Sequence, residues 1–205
     1  MIDPHAVREN IKVLEASIRN AAERSGRQRE NILLVAVTKT VPPDAIQVAV
    51  DAGIRIFGEN RIQEAADKIP KLGSDLSWHM VGHLQTNKAK IGVKLFDTIH
   101  SVDSVKLARI IDRCALEAGK VQRCLVEIKL SAEESKFGMQ AADVRNFFEE
   151  AANLSNISIS GLMTVPPYDP DPEKSRQYFV RLRELAQEIS AWGLQGIAMK
   201  ELSMG

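Results

Sequence analysis

The sequence has no excess of charge of either sign, because 27 Lys and Arg residues balance 27 Asp and Glu residues. Nucleic-acid surfaces and polybasic membrane surfaces both need a positive excess, so this balance argues against either partner. No apolar run approaches the roughly 20 residues that cross a bilayer, and the charged N-terminus lacks the apolar core of a signal peptide. We therefore expect a soluble cytoplasmic protein that binds neither nucleic acid nor membrane.

Several chemical signatures are also missing. The two cysteines, Cys114 and Cys124, fit neither a metal pair nor a CxxC redox motif, and we expect two small buried hydrophobic side chains. The hydrolase motifs HExxH and GxSxG do not occur, and neither does a closely spaced carboxylate pair. The loop at 38–43 contains no glycine, although a dinucleotide-binding fold needs a glycine-rich loop after its first strand. These absences disfavour hydrolases and nucleotide-binding folds.

Short apolar segments alternate with amphipathic helical patterns along the chain. The predicted strands are Ile32–Val37, Ile54–Phe57, Ser77–Val81, Leu95–His100, Gln122–Leu130, Ile157–Met163 and Ile197–Ser203. An extra helix precedes them and begins at Asp3 and Pro4, an N-cap and a first helical residue. This α/β alternation predicts a parallel sheet, and seven units approach a (β/α)₈ TIM-type barrel without its last strand. We predict one domain over 1–205, with a doubly wound open sheet as the rival.

A lysine stands at the end of the first predicted strand. Five apolar residues at 33–37 run into Thr38, Lys39 and Thr40, and two prolines then end the strand. In α/β folds the chemistry lies at the carboxyl ends of the strands. A half-buried lysine there loses hydration, its pKa falls, and its free amine becomes a nucleophile toward carbonyl groups. The alternative is a side chain that swings out to solvent.

Other polar residues stand at or near the ends of predicted strands. Asn60 follows the second strand, but it also fits the N-cap of a helix that begins at Arg61. His83 follows the third strand, and a hydrogen bond to a neighbouring carbonyl is its structural alternative. For Glu59 the alternatives are pairing with Arg61, pairing with the strand-end lysine, or facing water. His79 is predicted to point toward the helix layer.

Five strings of residues occur together in this chain. They are AVTKT at 36–40, FGENRIQE at 57–64, WHMVGHLQTNK at 78–88, GLMT at 161–164 and ELSMG at 201–205. With these strings the chain resembles the pyridoxal phosphate homeostasis protein family, the small barrel proteins known as YggS-like or PROSC-like. The resemblance covers essentially the whole chain, and the GENRxQE and GHLQTNK strings are very specific. It implies the fold type III barrel that alanine racemases carry as their N-terminal domain.

The resemblance implies a site for pyridoxal 5′-phosphate (PLP). Lys39 would form an internal Schiff base, a covalent aldimine, with the cofactor at the end of the first strand. Asn60 and His83 would line the pocket of the pyridine ring. The chemistry of the residues agrees, because a Schiff base needs an unprotonated amine.

The same resemblance assigns the phosphate to the end of the chain. Ser203, with the backbone at Met204 and Gly205, would help to hold the phosphate, which needs convergent hydroxyl and N–H donors. Lys136 matches a further family motif, and it would contact the phosphate, bind a second ligand, or be a solvated loop lysine. Family members continue into a helix and an eighth strand, whereas this sequence ends at Gly205, so we expect the native chain to be longer.

The expected function is binding of PLP for storage, buffering or delivery in intracellular PLP homeostasis, which would influence amino-acid and keto-acid pools. A two-base racemisation needs groups on both faces of the cofactor, and the sequence nominates only Lys39 on one face. We therefore predict a non-catalytic, monomeric protein, with PLP-dependent apoenzymes or a regulatory protein as candidate partners. One alternative is a weak PLP-dependent racemase or decarboxylase, and a second is a barrel that docks a regulatory partner. An aldolase-type Schiff base to a sugar phosphate is disfavoured by the GHLQTNK string.

Overall fold

Strands and helices alternate along the chain in the computed structural model, which describes residues 3–131 and 137–205. The strands are β1 (Ala36–Val37), β2 (Ile56–Glu59), β3 (Ser77–Met80), β4 (Thr98–Val102), β5 (Gln122–Glu127), β6 (Ile157–Thr164) and β7 (Ile197–Met204). The helices are α1 (Pro4–Arg24), α2 (Pro43–Asp51), α3 (Ile62–Lys68), α4 (Ala89–Leu95), α5 (Val105–Glu117), α6 (Val144–Ala151) and α7 (Arg176–Ala191). Each predicted strand is confirmed, with shifts at the ends.

The strands form one parallel sheet in which each strand pairs with the next along the chain, from β1 to β7. The sheet is strongly curled. Ser203 Oγ on β7 lies 3.0 Å from Nδ1 of His100 on β4, although β5 and β6 separate the two strands. Sequential parallel pairing with this curl is consistent with the predicted (β/α) barrel. The curl also brings the carboxyl ends of distant strands together.

The hydrophobic core fills the space between the outer face of the curled sheet and the helices. Phe57, Trp78 and Ile99, from three successive strands, are at most 3% exposed, and they pack in this layer. Cys114 and Cys124 are free and buried, as predicted. The intervening residues of each strand face the concave side of the sheet, because side chains alternate along a strand.

The first strand is shorter than predicted, since β1 covers only Ala36–Val37 rather than Ile32–Val37. The only strand that pairs with β1 in the described part of the chain is β2, and its ladder offers partners at Phe57 and Gly58 alone. An apolar run in the sequence indicates that a segment can be buried. It does not indicate how many of its residues will find hydrogen-bond partners on the adjacent strand.

Helix α1 precedes the sheet and lies outside the alternation, as predicted. Asp3 Oδ1 accepts a hydrogen bond of 2.9 Å from the N–H of His5, and Pro4 is the first helical residue. Ala22 is the buried residue of this helix, so most of its length is solvated. Within the described ranges, no helix is both long enough and apolar enough to cross a membrane.

Candidate functional site

Lys39 lies two residues beyond β1, and its side chain is exposed. The residue before it is held firmly. The N–H of Thr38 donates a hydrogen bond of 2.9 Å to the carbonyl of Gly58, and Lys68 Nζ donates one of 2.8 Å to the carbonyl of Thr38. The lysine amine is therefore free to reach a ligand while its backbone is fixed.

A buried ion pair anchors this strand end. Glu59 is fully buried, and its Oε1 accepts hydrogen bonds from Thr38 Oγ1 at 2.7 Å and from Lys68 Nζ at 2.9 Å. The three alternatives predicted for Glu59 were thus wrong, because its partner is a lysine nine residues further along, at the end of α3. A charge buried this deeply needs a paired and hydrogen-bonded partner.

The residue after Lys39 is held by the same helix. Thr40 has a φ of 62°, a left-handed conformation that is uncommon for residues other than glycine. Its N–H donates a hydrogen bond of 2.9 Å to Glu64 Oε2, and this hydrogen bond is the largest cause of the lowered pKa of Glu64. We call Thr38, Glu59, Glu64 and Lys68 the support network of Lys39. Two of its members belong to the GENRIQE string, so that string serves to position the lysine.

A cleft of about 390 Å³ opens beside the ends of β2, β3 and β5. Its lining residues are Asn60, Arg61, Val81, Gly82, His83, Glu127, Ile128, Lys129, Leu130, Ser131, Phe137 and Val165. The N-cap alternative for Asn60 was wrong, because α3 begins at Ile62 and Arg61 holds the N-cap position. A Cβ atom on Gly82 would lie 2.5 Å from the carbonyl oxygen of Asn60, so the close approach of the two loops requires glycine there. Lys136 lies outside the described residues.

His83 forms one wall of this cleft. Its ring stacks on Phe137 with a centroid separation of 4.0 Å and an interplanar angle of 12°. Its Nδ1 lies 3.3 Å from Oδ2 of Asp103 but makes no aligned hydrogen bond within the described residues. Nδ1 of His83 therefore does not make the hydrogen bond to a neighbouring carbonyl that was the structural alternative.

Ser203 is joined to two buried histidines on the concave face, which we call the histidine pair, His79 and His100. His100 Nδ1 lies 3.0 Å from Ser203 Oγ, and His100 Nε2 lies 2.9 Å from His79 Nδ1. The prediction that His79 faces the helix layer was wrong. Trp78 takes the helix side, where its ring lies 5.3 Å from that of Phe57, so the next residue must face the concave side.

Burial keeps the histidine pair neutral. Burial lowers the pKa of His79 to about 4, and it lowers the pKa of His100 to about 3 with a further contribution from His79. Two charged residues act on the pair from nearby: Arg123 lowers the pKa of both rings, and Asp97 raises that of His79. Because both pKa values lie well below neutrality, each ring carries one proton at pH 7.

Glu127 is a functional candidate that the sequence did not indicate. It ends β5, lines the cleft, and is paired in register with Met163, which is itself paired with Ser203. Burial raises its pKa to about 7, and the negative charge of Asp103 contributes in the same direction. A single acidic residue inside an apolar run of sequence gives no signal of the face on which it lies.

The structure places all six predicted site residues at carboxyl ends of strands, but in three separate places. Asn60 and His83 line the cleft. Lys39 is exposed beyond β1, and β7 ends with the half-buried Ser203 followed by the exposed residues 204–205. The arrangement offers an amine, a hydroxyl next to neutral imidazoles and a carboxyl group of raised pKa around the mouth of the curled sheet.

Comparison with known proteins identifies related sequences. The family model described as the alanine racemase N-terminal domain matches residues 2–204. A pyridoxal phosphate homeostasis protein from Aquifex aeolicus is 40% identical over 195 residues, which cover 95% of this chain and 84% of the relative. The predicted resemblance is confirmed over nearly the full length of the sequence.

Two solved structures are similar to this fold. PipY from Synechococcus elongatus PCC7942, with PLP bound, matches with a TM-score of 0.81 at 38% identity, over 91% of this chain and 87% of that one. Alanine racemase from Clostridium difficile 630 matches with a TM-score of 0.75 over 96% of this chain and 50% of its own. Because that enzyme is only 15% identical, the second likeness concerns the fold alone.

The support network predicts a large loss of stability in Lys68→Met. This change leaves the carboxylate of Glu59 buried without its partner, which typically costs about 3–5 kcal/mol. Lys71→Met, at an exposed lysine three residues away, is the matched control. Urea unfolding at neutral pH measures both variants, and equal free energies of unfolding would contradict the role assigned to Lys68.

Because the pKa of Glu127 is raised, we expect Glu127→Gln to change the free energy of unfolding by an amount that depends on pH. The reference pKa of a glutamate is 4.5 and that of Glu127 is about 7, so the native protein holds a proton between these values that the unfolded chain releases. Its contribution to stability therefore falls as the pH rises through this interval. The glutamine variant should gain stability relative to the parent between about pH 4.5 and about pH 7 and then level off.

Urea unfolding across this interval, with Glu188→Gln on the exposed face of α7 as control, measures the difference. The same offset between Glu127→Gln and the parent at every pH would contradict the raised pKa.

Proposed function

Because the chain belongs to the pyridoxal phosphate homeostasis protein family, built on the alanine racemase N-terminal domain, we propose that it binds PLP at the mouth of its curled sheet. Its role is to store, buffer or deliver the cofactor rather than to turn over a substrate. The relative from Aquifex aeolicus carries that homeostasis name, and PipY is described with PLP bound. These names support the assignment, and the residues of this chain supply the physical argument.

One observation carries the proposal: an exposed lysine amine on a backbone that is held on both sides. Lys39 reaches the mouth of the sheet, while Thr38 and Thr40 are fixed by hydrogen bonds to α3 and β2. The cofactor supplies an aldehyde that condenses with a primary amine to form a Schiff base. A fixed backbone limits the positions of that amine, so less conformational entropy is lost when a ligand binds.

The phosphate of the cofactor needs donors away from the amine. Ser203 offers a hydroxyl on the concave face of β7, and the chain at 204–205 offers backbone N–H groups at the strand end. Phosphate oxygens are recognised by such convergent hydroxyl and backbone donors. Asn60 and His83, across the mouth, would line the ring pocket. The residues therefore fit both ends of the cofactor.

A second candidate function is supported by Glu127. A carboxyl group in a cleft with a pKa of about 7 is suited to proton transfer near neutral pH. A weak PLP-dependent racemase or decarboxylase is thus the alternative to storage and delivery. Bleaching of the cofactor's absorbance by amino acids with product formation would favour the enzyme, and binding without turnover favours homeostasis.

Partners and assembly follow from the proposed role. We propose that the protein acts as a cytoplasmic monomer that passes PLP to PLP-dependent apoenzymes or answers to a regulatory protein. The balance of charge in the sequence supports the absence of nucleic-acid binding.

Reductive labelling tests the covalent bond. Protein incubated with PLP and then reduced with borohydride should carry one pyridoxyl group, and peptide mapping should locate it at Lys39. Lys39→Ala should lose the label, because the other amine of the support network, that of Lys68, is buried and hydrogen-bonded to Glu59. Lys129→Ala, which removes the lysine that lines the cleft, should keep it. Equal labelling of Lys39→Ala and the parent would overturn the assignment.

A further inference from the structure

The histidine pair and Ser203 form a continuous chain of hydrogen bonds across the concave face. The distances are 2.9 Å between His79 Nδ1 and His100 Nε2 and 3.0 Å between His100 Nδ1 and Ser203 Oγ. His79 and His100 come from the paired strands β3 and β4, and the curl of the sheet brings Ser203 of β7 to them. His79 and His100 are 7% and 5% exposed.

Proton counting leaves two arrangements for this chain. A neutral imidazole carries one N–H, and each short contact needs one donor and one acceptor. In the first arrangement, Nδ1 of His79 donates to Nε2 of His100, and Nδ1 of His100 donates to Ser203 Oγ. The hydroxyl of Ser203 is then free to donate elsewhere. In the second arrangement all these bonds are reversed, and the serine proton is used by His100.

A phosphate group distinguishes the two arrangements. Its oxygens accept hydrogen bonds, and at neutral pH the group carries a charge of about −1.5 to −2. Ser203 can donate to such an oxygen only in the first arrangement. The hydrogen bonds of that arrangement all point the same way, from His79 toward the ligand, and aligned chains of this kind polarise one another.

We propose that the histidine pair is a positioning device that holds Ser203 as a hydrogen-bond donor to the phosphate of the bound cofactor. This inference rests on the proposed function and adds the recognition chemistry of the phosphate end. The neutral rings of the pair orient the serine hydroxyl without adding charge, so the site favours ligands that carry acceptor oxygens. Pyridoxal has no phosphate, so the pair does not increase its binding affinity. Because burial lowers the pKa of both rings, each carries a single proton at neutral pH, as the first arrangement requires.

Nitrogen NMR of histidine-labelled protein tests the proposal directly, because the ¹⁵N signals report which ring nitrogen carries the proton. The chain has four histidines, so single substitutions at the other two assign the spectrum. With PLP bound, both His79 and His100 should carry the proton on Nδ1. A proton on Nε2 of His100 in the loaded protein would overturn the inference and leave the proposed function intact. If PLP does not bind at all, both fail together.

Two variants of His79 separate positioning from a structural role. His79→Asn keeps an N–H donor near the place of Nδ1, whereas His79→Leu removes it. The ratio of the Kd values for pyridoxal and PLP should fall about threefold in His79→Leu, a typical effect of one neutral hydrogen bond, and should be retained in His79→Asn. Ser203→Ala should weaken PLP binding about tenfold or more without changing pyridoxal binding.

Each result has a defined meaning. An unchanged ratio in His79→Leu contradicts the proposal. If that variant does not fold, the tautomers of the parent protein still decide the question.

Discussion

The buried ion pair between Glu59 and Lys68 is the interaction on which the site depends. It joins β2 to the end of α3, and both partners also bind Thr38, the residue immediately before Lys39. The short β1 has a ladder of only two residues, and one further backbone hydrogen bond, from Thr38 to Gly58, is all that strand pairing adds next to the lysine among the described residues. The charge pair adds a second anchor from the helix side of the sheet, and the lysine side chain stays exposed.

The two faces of the sheet differ in how they bury polar groups: the helix side buries an ion pair, and the concave side buries neutral rings. On the helix side, the buried carboxylate of Glu59 is paired through its Oε1 with Lys68, which holds the backbone in one place. On the concave side, the histidine pair is buried and neutral, with no net charge to repel or attract a ligand before it arrives. In the proposed complex, the ligand phosphate would bring the charge itself and would meet oriented hydroxyl and N–H donors. In the proposed function, the lysine on one strand and the serine on another would hold the two ends of one small molecule.

The sequence predicts the elements of this fold better than the contacts between them. Strand–helix alternation indicates the barrel, and the apolar run before Lys39 places it at a strand end. The direction of His79 was missed because it depends on which neighbour faces the helices, and a shift of one residue reverses every side chain of a strand. The bond between His100 and Ser203 spans 103 positions, and no local pattern encodes it. The partner of Glu59 was missed for the same reason, since only the packing of α3 on β2 brings Lys68 to it.

A crystal structure of the protein loaded with PLP tests the central claim most directly. We expect electron density continuous from Lys39 Nζ to the cofactor, with a phosphate oxygen within hydrogen-bond distance of Ser203 Oγ. A phosphate bound in the cleft that His83 and Phe137 line, away from Ser203, would contradict this claim. In that case the histidine pair would be part of the core, and the cleft would be the recognition site.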